Sequence, residues 1–545
     1  MIAVLAFSLA ALAQTGAAKP FFREIGATAL PGVETTCGSR AKDYIIEVNG
    51  GGVLLEDFDR DGHVDVLIVD GSNLERIAKG EPGFPPRLFL GRGDATFAPA
   101  GDEWSMGGGR WGMGGAVGDF DGDGWPDVVV TQWGPNRVFL NRAGKGFREV
   151  TDKAGLAGDA WSTSAAALDY DRDGKLDLVV VRYLVFDPAK IGKPGTAGCQ
   201  WQGHEVMCGP EGLTPVADQF YRGNGDGTFR EVTAEAKFRT APAAFGLGVM
   251  TLDFDCDGDT DIYVANDSLP NHLWENKGDG TFAEIGFEAG VSHTADGKEQ
   301  ASMGIANGDW NGDGRPDLFV SNFSGESDTL YVSTRARAYR ERSSAAGLAG
   351  PTMRTLGWGT AFCDLDLDGD LDLYVCNGHV YPQADRPGTD TSYAQADLLL
   401  RNGGARFALE PLSDSAPRVS RASATADLDG DGDLDIVALQ VEGAVRVLRN
   451  DTPRGSHWLR VRLRARGGNT AALGARVTAE WEGGKQVAQM RTAGGYQASI
   501  PAEVHFGLGA AARVKKLRIT WPSGHEQVLE DVAVDRVLQV EEKAP

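Results

Sequence analysis

The sequence has 545 residues, with 77 Asp and Glu against 53 Lys and Arg and a formal net charge of −24. That length suggests several domains. No Lys/Arg-rich stretch of the kind that tracks phosphates is present, which argues against a nucleic-acid partner.

Residues 2–13 form an apolar run too short to span a bilayer. With Ala11-Leu12-Ala13 as an A-x-A cleavage site, residues 1–18 read as a secretory signal peptide, although a basic n-region is missing. Nothing later resembles a membrane span or a lipid anchor. The expected location is therefore secreted or extracellular, or periplasmic or on the outer cell surface in a bacterium. Phe21-Phe22-Arg23-Glu24-Ile25 follows as a short strand.

Over residues 21–451 one unit recurs seven times at spacings of 50 to 84 residues, and such a repeat decides the architecture before any local signal does. Its centre is a nine-residue stretch. Position 1 is Asp57, Asp119, Asp169, Asp253, Asp309, Asp364 and Asp427. Position 3 is Asp59, Asp121, Asp171, Asp255, Asn311, Asp366 and Asp429. Position 5 is Asp61, Asp123, Asp173, Asp257, Asp313, Asp368 and Asp431, and position 6 is always Gly. Position 9 is Asp65, Asp127, Asp177, Asp261, Asp317, Asp372 and Asp435. Position 7 holds His63, Trp125, Lys175, Asp259, Arg315, Asp370 and Asp433, which share no side-chain chemistry.

A hard cation such as Ca²⁺ takes six to eight oxygens at roughly 2.3–2.6 Å. Carboxylates at positions 1, 3 and 5 can converge on one point, Gly at 6 permits a positive φ, a backbone carbonyl at 7 explains its free side chain, and Asp at 9 closes the shell. Asp/Gly turns that merely end strands leave the recurrence of these oxygen positions unexplained. Up to seven Ca²⁺ are expected. These positions take 27 of the 77 acidic residues, so seven ions would bring the net charge to about −10. The loops are not EF-hands, because position 12 is apolar (Ile68, Val130, Val180) where a bidentate Glu is required. Apolar runs such as Asp65-Val66-Leu67-Ile68-Val69 predict that each loop joins two antiparallel strands.

Small residues before each of the first six loops, a third strand with a turn, and a last strand of the Phe-Arg-Glu-Val type make four strands per unit. The predicted fold is all-β, a seven-bladed propeller with the small-residue strands innermost. The seventh unit lacks its last strand, and residues 21–25 supply it to close the ring. All Asp loops then lie on one face. The most variable loops, 70–86, 182–218 and 378–396, lie on the other with Asn266–Asn271 and Asn322–Glu326. Asp267, Asn271, Glu326 and His379 are the candidate ligand contacts there, although tolerated insertions would also explain such loops.

The units resemble FG-GAP/VCBS repeats of the kind found in integrin α-chain propellers. The whole chain resembles the secreted cartilage acidic protein family through Asn266-Asp267-Ser268-Leu269-Pro270-Asn271, Gly297-Lys298-Glu299-Gln300-Ala301-Ser302-Met303-Gly304 and Asn377-Gly378-His379-Val380-Tyr381-Pro382. Residues 452–545 resemble an ASPIC/UnbV domain, with Gly494-Gly495-Tyr496-Gln497 and His505-Phe506-Gly507-Leu508-Gly509. The resemblance implies a secreted Ca²⁺-binding propeller with adhesive functions. Alternation of apolar and basic residues in 458–464 independently predicts a small β-sandwich. Its basic side chains either dock the acidic propeller or, as favoured here, form a solvated face.

Cys199 and Cys208 share one short loop and suit a disulfide. A soft-metal site with His204 and Met207 is the alternative. Cys363 and Cys376 are expected to stay unpaired, being three residues out of register if position 1 faces position 9. Cys37 and Cys256 have no assignment. Arg92-Gly93-Asp94 matches the turn Gly225-Asp226-Gly227 and reads as a hairpin turn rather than an adhesion tripeptide. Trp104, Trp111, Trp161 and Trp358 could stack sugars, although packing between blades is the commoner use. No nucleophile motif emerges, and the patterned Asp are used as ligands. The expectation is a monomeric binding module rather than an enzyme, taking a protein or glycan ligand at the cell surface or matrix. The alternatives are a lectin or a polysaccharide-processing enzyme on the same propeller.

Overall fold

The apolar run after each Asp loop becomes the second strand of a four-stranded antiparallel sheet. In blade one these strands are Gly52–Glu56, Asp65–Val69, Arg87–Gly91 and Phe97–Pro99. The first strands of blades two to seven are Trp111–Gly118, Ser162–Leu168, Gly246–Leu252, Ile305–Gly308, Gly357–Cys363 and Ser420–Ala426. The computed structural model describes residues 22–544 apart from 157, 335, 336, 413–415, 453 and 454. The expected signal segment and Phe21 lie outside the described residues.

Small residues on the first strands answer to crowding at the propeller axis. A Cβ on Gly52 would stand 2.5 Å from Gly114 Cα, and one on Gly114 would stand 2.7 Å from Gln497 Cα. The register places the residue before position 1 opposite position 9, as in Glu56↔Asp65 and Cys363↔Asp372. This corrects the expected pairing of positions 1 and 9. Cys376 falls four residues further along its strand, and both thiols are buried and free.

Blade seven is completed by the N-terminal strand Phe22–Glu24, with Phe22 opposite Asn450 and Glu24 opposite Leu448. Arg446 Nε donates to Glu24 Oε2 at 2.8 Å, and its guanidinium also pairs with the buried Asp397. The ring is thus closed by antiparallel pairing and by a buried cation between two carboxylates.

Residues 457–541 form two further sheets around a core that includes Leu459, Val477, Phe506, Leu517 and Trp521. This module lies over the Asp-loop face and touches the loops of all seven blades. Arg462 faces Asp57, Thr470 donates to Asp119, and Asn469 bonds Asp169. Gln489 accepts from Asp253 N, Arg476 donates to Gly314 O, Gln486 donates to Gly369 O, and Arg460 pairs with Asp427. The basic strand residues Arg460 and Arg462 therefore dock on the propeller, which corrects the expectation of a solvated face. Both cations are also held by Glu503.

From this module a hairpin enters the propeller along its axis. Ala498 and Ser499 add a parallel strand to Val53 and Leu54 of blade one. Gly495 O accepts from Val249 N at 2.9 Å in blade four, and Gln497 N donates to Ser164 Oγ at 3.0 Å in blade three. Tyr496 at the tip is fully buried; its hydroxyl donates to Asn49 O at 2.7 Å and its ring lies 5.1 Å from that of Trp358. Trp111, Trp161 and Trp358 are buried in the same cluster, and Trp104 is buried against Phe147. They pack between elements and offer no stacking face to solvent.

Candidate functional site

Each Asp loop is wound around its own backbone N–H groups in one repeated scheme. The position 1 carboxylate accepts from the Gly at position 6 through Oδ2 in all seven, from Gly62→Asp57 at 3.0 Å to Gly432→Asp427 at 3.0 Å. The position 5 carboxylate accepts from the N–H of position 7 in every loop, as His63 N does to Asp61 at 2.9 Å. Position 6 has positive φ throughout, between 80° and 103°, which is the conformation glycine tolerates best.

The position 9 carboxylate is anchored at both ends. Its Oδ2 accepts from the N–H of position 2, and its Oδ1 accepts from a third-strand N–H, as in Phe58→Asp65 at 2.9 Å and Gly91→Asp65 at 2.8 Å. Asp127, Asp177, Asp261, Asp317, Asp372 and Asp435 repeat both bonds. Position 9 therefore staples the loop to the third strand whatever else it binds.

Several carboxylate oxygens are left over. Oδ1 of Asp57, Asp119, Asp169 and Asp253 is buried without a hydrogen-bond partner, as are both oxygens of Asp366 and Oδ1 of Asp429. Ligand atoms lie within 4.8 Å of one another in the sets Asp57/Asp59/Asp61, Asp119/Asp121/Asp127, Asp169/Asp171/Asp177, Asp253/Asp255/Asp261 and Asp364/Asp366/Asp372. Burial first, then the neighbouring carboxylates, pushes Asp169 to about 6; burial likewise pushes Asp65 and Asp317 to about 8. An all-oxygen set of buried, partnerless carboxylates suits a hard divalent cation. The residues present fit Ca²⁺.

Sequence reasoning missed three parts of this machinery. Position 4 is also left-handed in every loop, including the non-glycine Arg60, Arg172, Cys256 and Leu367 at φ of 55–64°. Cys256 thereby finds its place in the fold. Second, a third-strand Asn in alternate blades and in blade seven donates to the position 2 carbonyl of the preceding blade. Asn141→Phe58, Asn276→Tyr170, Asn402→Trp310 and Asn450→Leu365 span 2.8–3.0 Å. The recurrent Asn at the end of these strands was a readable signal. Third, position 7 side chains meet position 4 of the preceding blade: Arg60 lies over the Trp125 ring, and Arg172 Nη2 stands 2.8 Å from Asp259 Oδ1.

On the opposite face, Cys199 and Cys208 are joined in a disulfide, so neither thiol is available to a soft metal. Their loop reaches across to the 378–396 segment. Trp201 lies 4.5 Å from the His379 ring, and Gln202 Nε2 donates to Asp390 Oδ1 at 2.5 Å. His379 is fully buried beneath it, with Nε2 3.0 Å from Ser324 Oγ and Nδ1 accepting from Tyr381 N at 3.1 Å. Asn271 is buried too, accepting from Asn266 N and donating to Ser302 Oγ. Asp267 accepts from the Tyr183 hydroxyl and Glu326 from Ala301 N, and burial raises the pKa of both. These four residues brace the loops of the face. Two of them do not reach solvent, which corrects the expectation of an open row of contacts. Arg92-Gly93-Asp94 sits in a hairpin turn with Asp94 Oδ1 accepting from Thr96, as Asp226 accepts from Thr228.

The FG-GAP-like repeat family matches residues 57–130, 119–180, 206–264, 253–320 and 309–375, and the ASPIC and UnbV family matches residues 465–545. Cartilage acidic protein 1 of Homo sapiens is 29% identical over 325 residues, and that of Mus musculus is 28% identical over 326. Each alignment takes in 58% of this chain but only 46% and 48% of the relative, so the chain spans less than half the length of the relatives it matches. Among solved structures, an Agrocybe aegerita lectin specific for non-reducing terminal N-acetylglucosamine has 15% identity and a TM-score of 0.38, covering 74% of this chain and 95% of its own. A COPII outer-coat chain has 8% identity and a TM-score of 0.41, covering 88% and 98%. Likeness at that level says nothing about ligands. Among the described residues no helix is long and apolar enough to cross a membrane.

Proposed function

Because the chain belongs to the FG-GAP-like repeat family and carries an ASPIC and UnbV domain at its C-terminal end, we propose that it is an exported, Ca²⁺-loaded interaction module, not an enzyme. Its macromolecular partner docks on the face opposite the Asp loops. The observation that carries this reading is the covering of the Asp-loop face: the C-terminal module touches all seven loops, and its hairpin fills the axis. The long loops of the other face are what remains for recognition. Ca²⁺ then has a structural part, holding the first strand of each blade to the second. At ten times its dissociation constant each ion contributes about 1.4 kcal/mol to folding, so several sites together rival the roughly 5–15 kcal/mol net stability of a domain.

The test pairs a melt with partner capture from extracellular matrix or cell surfaces, with and without Ca²⁺. Chelation is expected to lower the melting temperature and to weaken capture only as far as the scaffold loosens. Asp267→Asn and Glu326→Gln are expected to reduce capture with a smaller effect on the melt. If Asp431→Ala loses capture at full stability, the metal face is the recognition face and the proposal fails.

A further inference from the structure

Phe287 is the most exposed large apolar side chain described, at 75%. It sits on the short helical turn Gly286–Ala289 that follows the last strand of blade four. The same position of the repeat is Ala27, Asp152, Ala234 and Ser344 after blades seven, two, three and five, and each of these is also exposed. Asp102 after blade one is exposed as well, whereas Leu412 after blade six is buried in the core, so the fold presents this position to water in six of the seven blades and asks nothing of its side chain there. An aromatic ring there is not explained by packing.

The ring borders a groove of about 520 Å³ between blades four and five, lined also by His293, Thr294, Tyr339, Arg340 and Glu341. His293 meets the Phe287 ring edge-on at 6.2 Å, and its Nδ1 is engaged by Ser292 Oγ at 2.7 Å, leaving Nε2 for another partner. Glu341 accepts from Ser343 N through Oε1, leaving Oε2. The Arg340 side chain is exposed and makes no hydrogen bond or ion pair among the described residues. Around the ring the remaining lining is Gly290, Ala295 and Gly297, with no second large apolar side chain at the surface. One open aromatic face ringed by a guanidinium, a carboxylate, an imidazole and a hydroxyl is poorly matched to an apolar peptide. It is well matched to a pyranose, whose C–H face covers the ring while its hydroxyls need both donors and acceptors.

We propose that the groove between blades four and five is a glycan subsite, with Phe287 stacking a pyranoside ring and Arg340, Glu341 and His293 bonding its hydroxyls. The proposal does not rest on the partner reading above, although the groove opens on the same face, where Asn271 N donates to Ser292 O at 3.2 Å. The full chain in Ca²⁺ buffer is screened on a glycan array, and each hit is examined as its methyl glycoside by saturation-transfer NMR. The expected result is binding of at least one pyranoside, with saturation concentrated on the C–H protons of one ring face. Phe287→Ala should weaken it about tenfold or more and Arg340→Ala should weaken it severalfold, both with unchanged melting temperature, while Phe287→Tyr retains binding. No glycan bound by the wild type, binding indifferent to Phe287→Ala, or a melt lowered by that substitution would each overturn the proposal. So would loss, in Phe287→Ala, of a captured protein alone.

Discussion

Arg460 Nη1 lies 2.9 Å from Asp427 Oδ2, joining the C-terminal module to a first-position carboxylate of the seventh Asp loop. Thr470 does the same to Asp119 Oδ2 in the second loop. The proposed cation ligands are therefore also docking contacts, and the two equilibria are coupled. Chelation should raise amide exchange in residues 494–499 as the module loosens. Protection there that is indifferent to Ca²⁺ would show that docking and ion binding are separate.

Tyr496 tests the axial hairpin itself. Its ring is fully buried against Trp358, so Tyr496→Ala should cost roughly 3–5 kcal/mol. Tyr496→Phe keeps the packing and removes the hydroxyl from Asn49 O, for about 1 kcal/mol. Denaturant melts of both variants measure this; equal losses would mean that the hydroxyl, not the ring, holds the tip.

Ring closure predicts the behaviour of a chain begun at Gly26. It lacks Phe22, which is buried, and Glu24, which pairs with Arg446. The expected loss is roughly 3 kcal/mol or more, with a less cooperative melt. A melt identical to that of a chain begun at Phe21 would refute closure by this strand.

Asn311 gives the fifth loop one less carboxylate than its six counterparts. Asn311→Asp is expected to raise Ca²⁺ affinity at that loop roughly tenfold, since ligand charge tunes such sites. Isothermal titration of both forms checks it, and an unchanged weakest site would place the difference elsewhere.

His379 gives the opposite face a pH signature. Burial first, then the Arg421 charge, lowers its pKa to about 3. The folded state therefore holds it neutral while an unfolded chain protonates it near 6.5. Its contribution is present above about 6.5 and is lost progressively as pH falls towards about 3, by an amount on the order of 5 kcal/mol. Buried Asp218 and Asp328, raised to about 7 and 8 by burial, slope the other way. The difference between wild-type and His379→Gln stability curves isolates the histidine, and parallel curves would contradict the assignment.

The blades, the loop chemistry and the closing strand were legible because each repeats or completes a repeat. Seven loops compared with one another separate fixed from free positions, and the strand missing before Thr452 was visible at Phe22–Glu24. Contacts made only once were not legible. Nothing local in Arg460 or Arg462 distinguishes a docked cation from a solvated one, since their partners Asp427 and Glu503 are chosen by the approach of two domains. His379 looked like a binding residue because a polar side chain in a long loop usually meets water. The lid that buries it, Trp201, belongs to an insertion in a different blade. The left-handed position 4 gave only a broken signal: it is Gly122, Gly312 and Gly430 in three loops, while Arg60, Arg172, Cys256 and Leu367 accept a conformation that costs roughly 1–2 kcal/mol.

The two ends of the chain set an order of assembly. Glu24 meets Arg446 across 422 residues of sequence, and Asn49 meets Tyr496 across 447. As the chain emerges from its N-terminus, blades one to six can each fold on their own local pairing, yet Phe22–Glu24 stays an unmatched strand until blade seven arrives. The axis stays open longer still, until residues 494–499 are made. For most of synthesis the growing molecule is an incomplete ring with exposed strand edges and an unfilled core, the state in which pairing with a second chain competes best. Long-range closure of this kind is slow. The burden on whatever guards the nascent chain is set by residues 446–499, which close the ring and fill the axis, rather than by the earlier repeats.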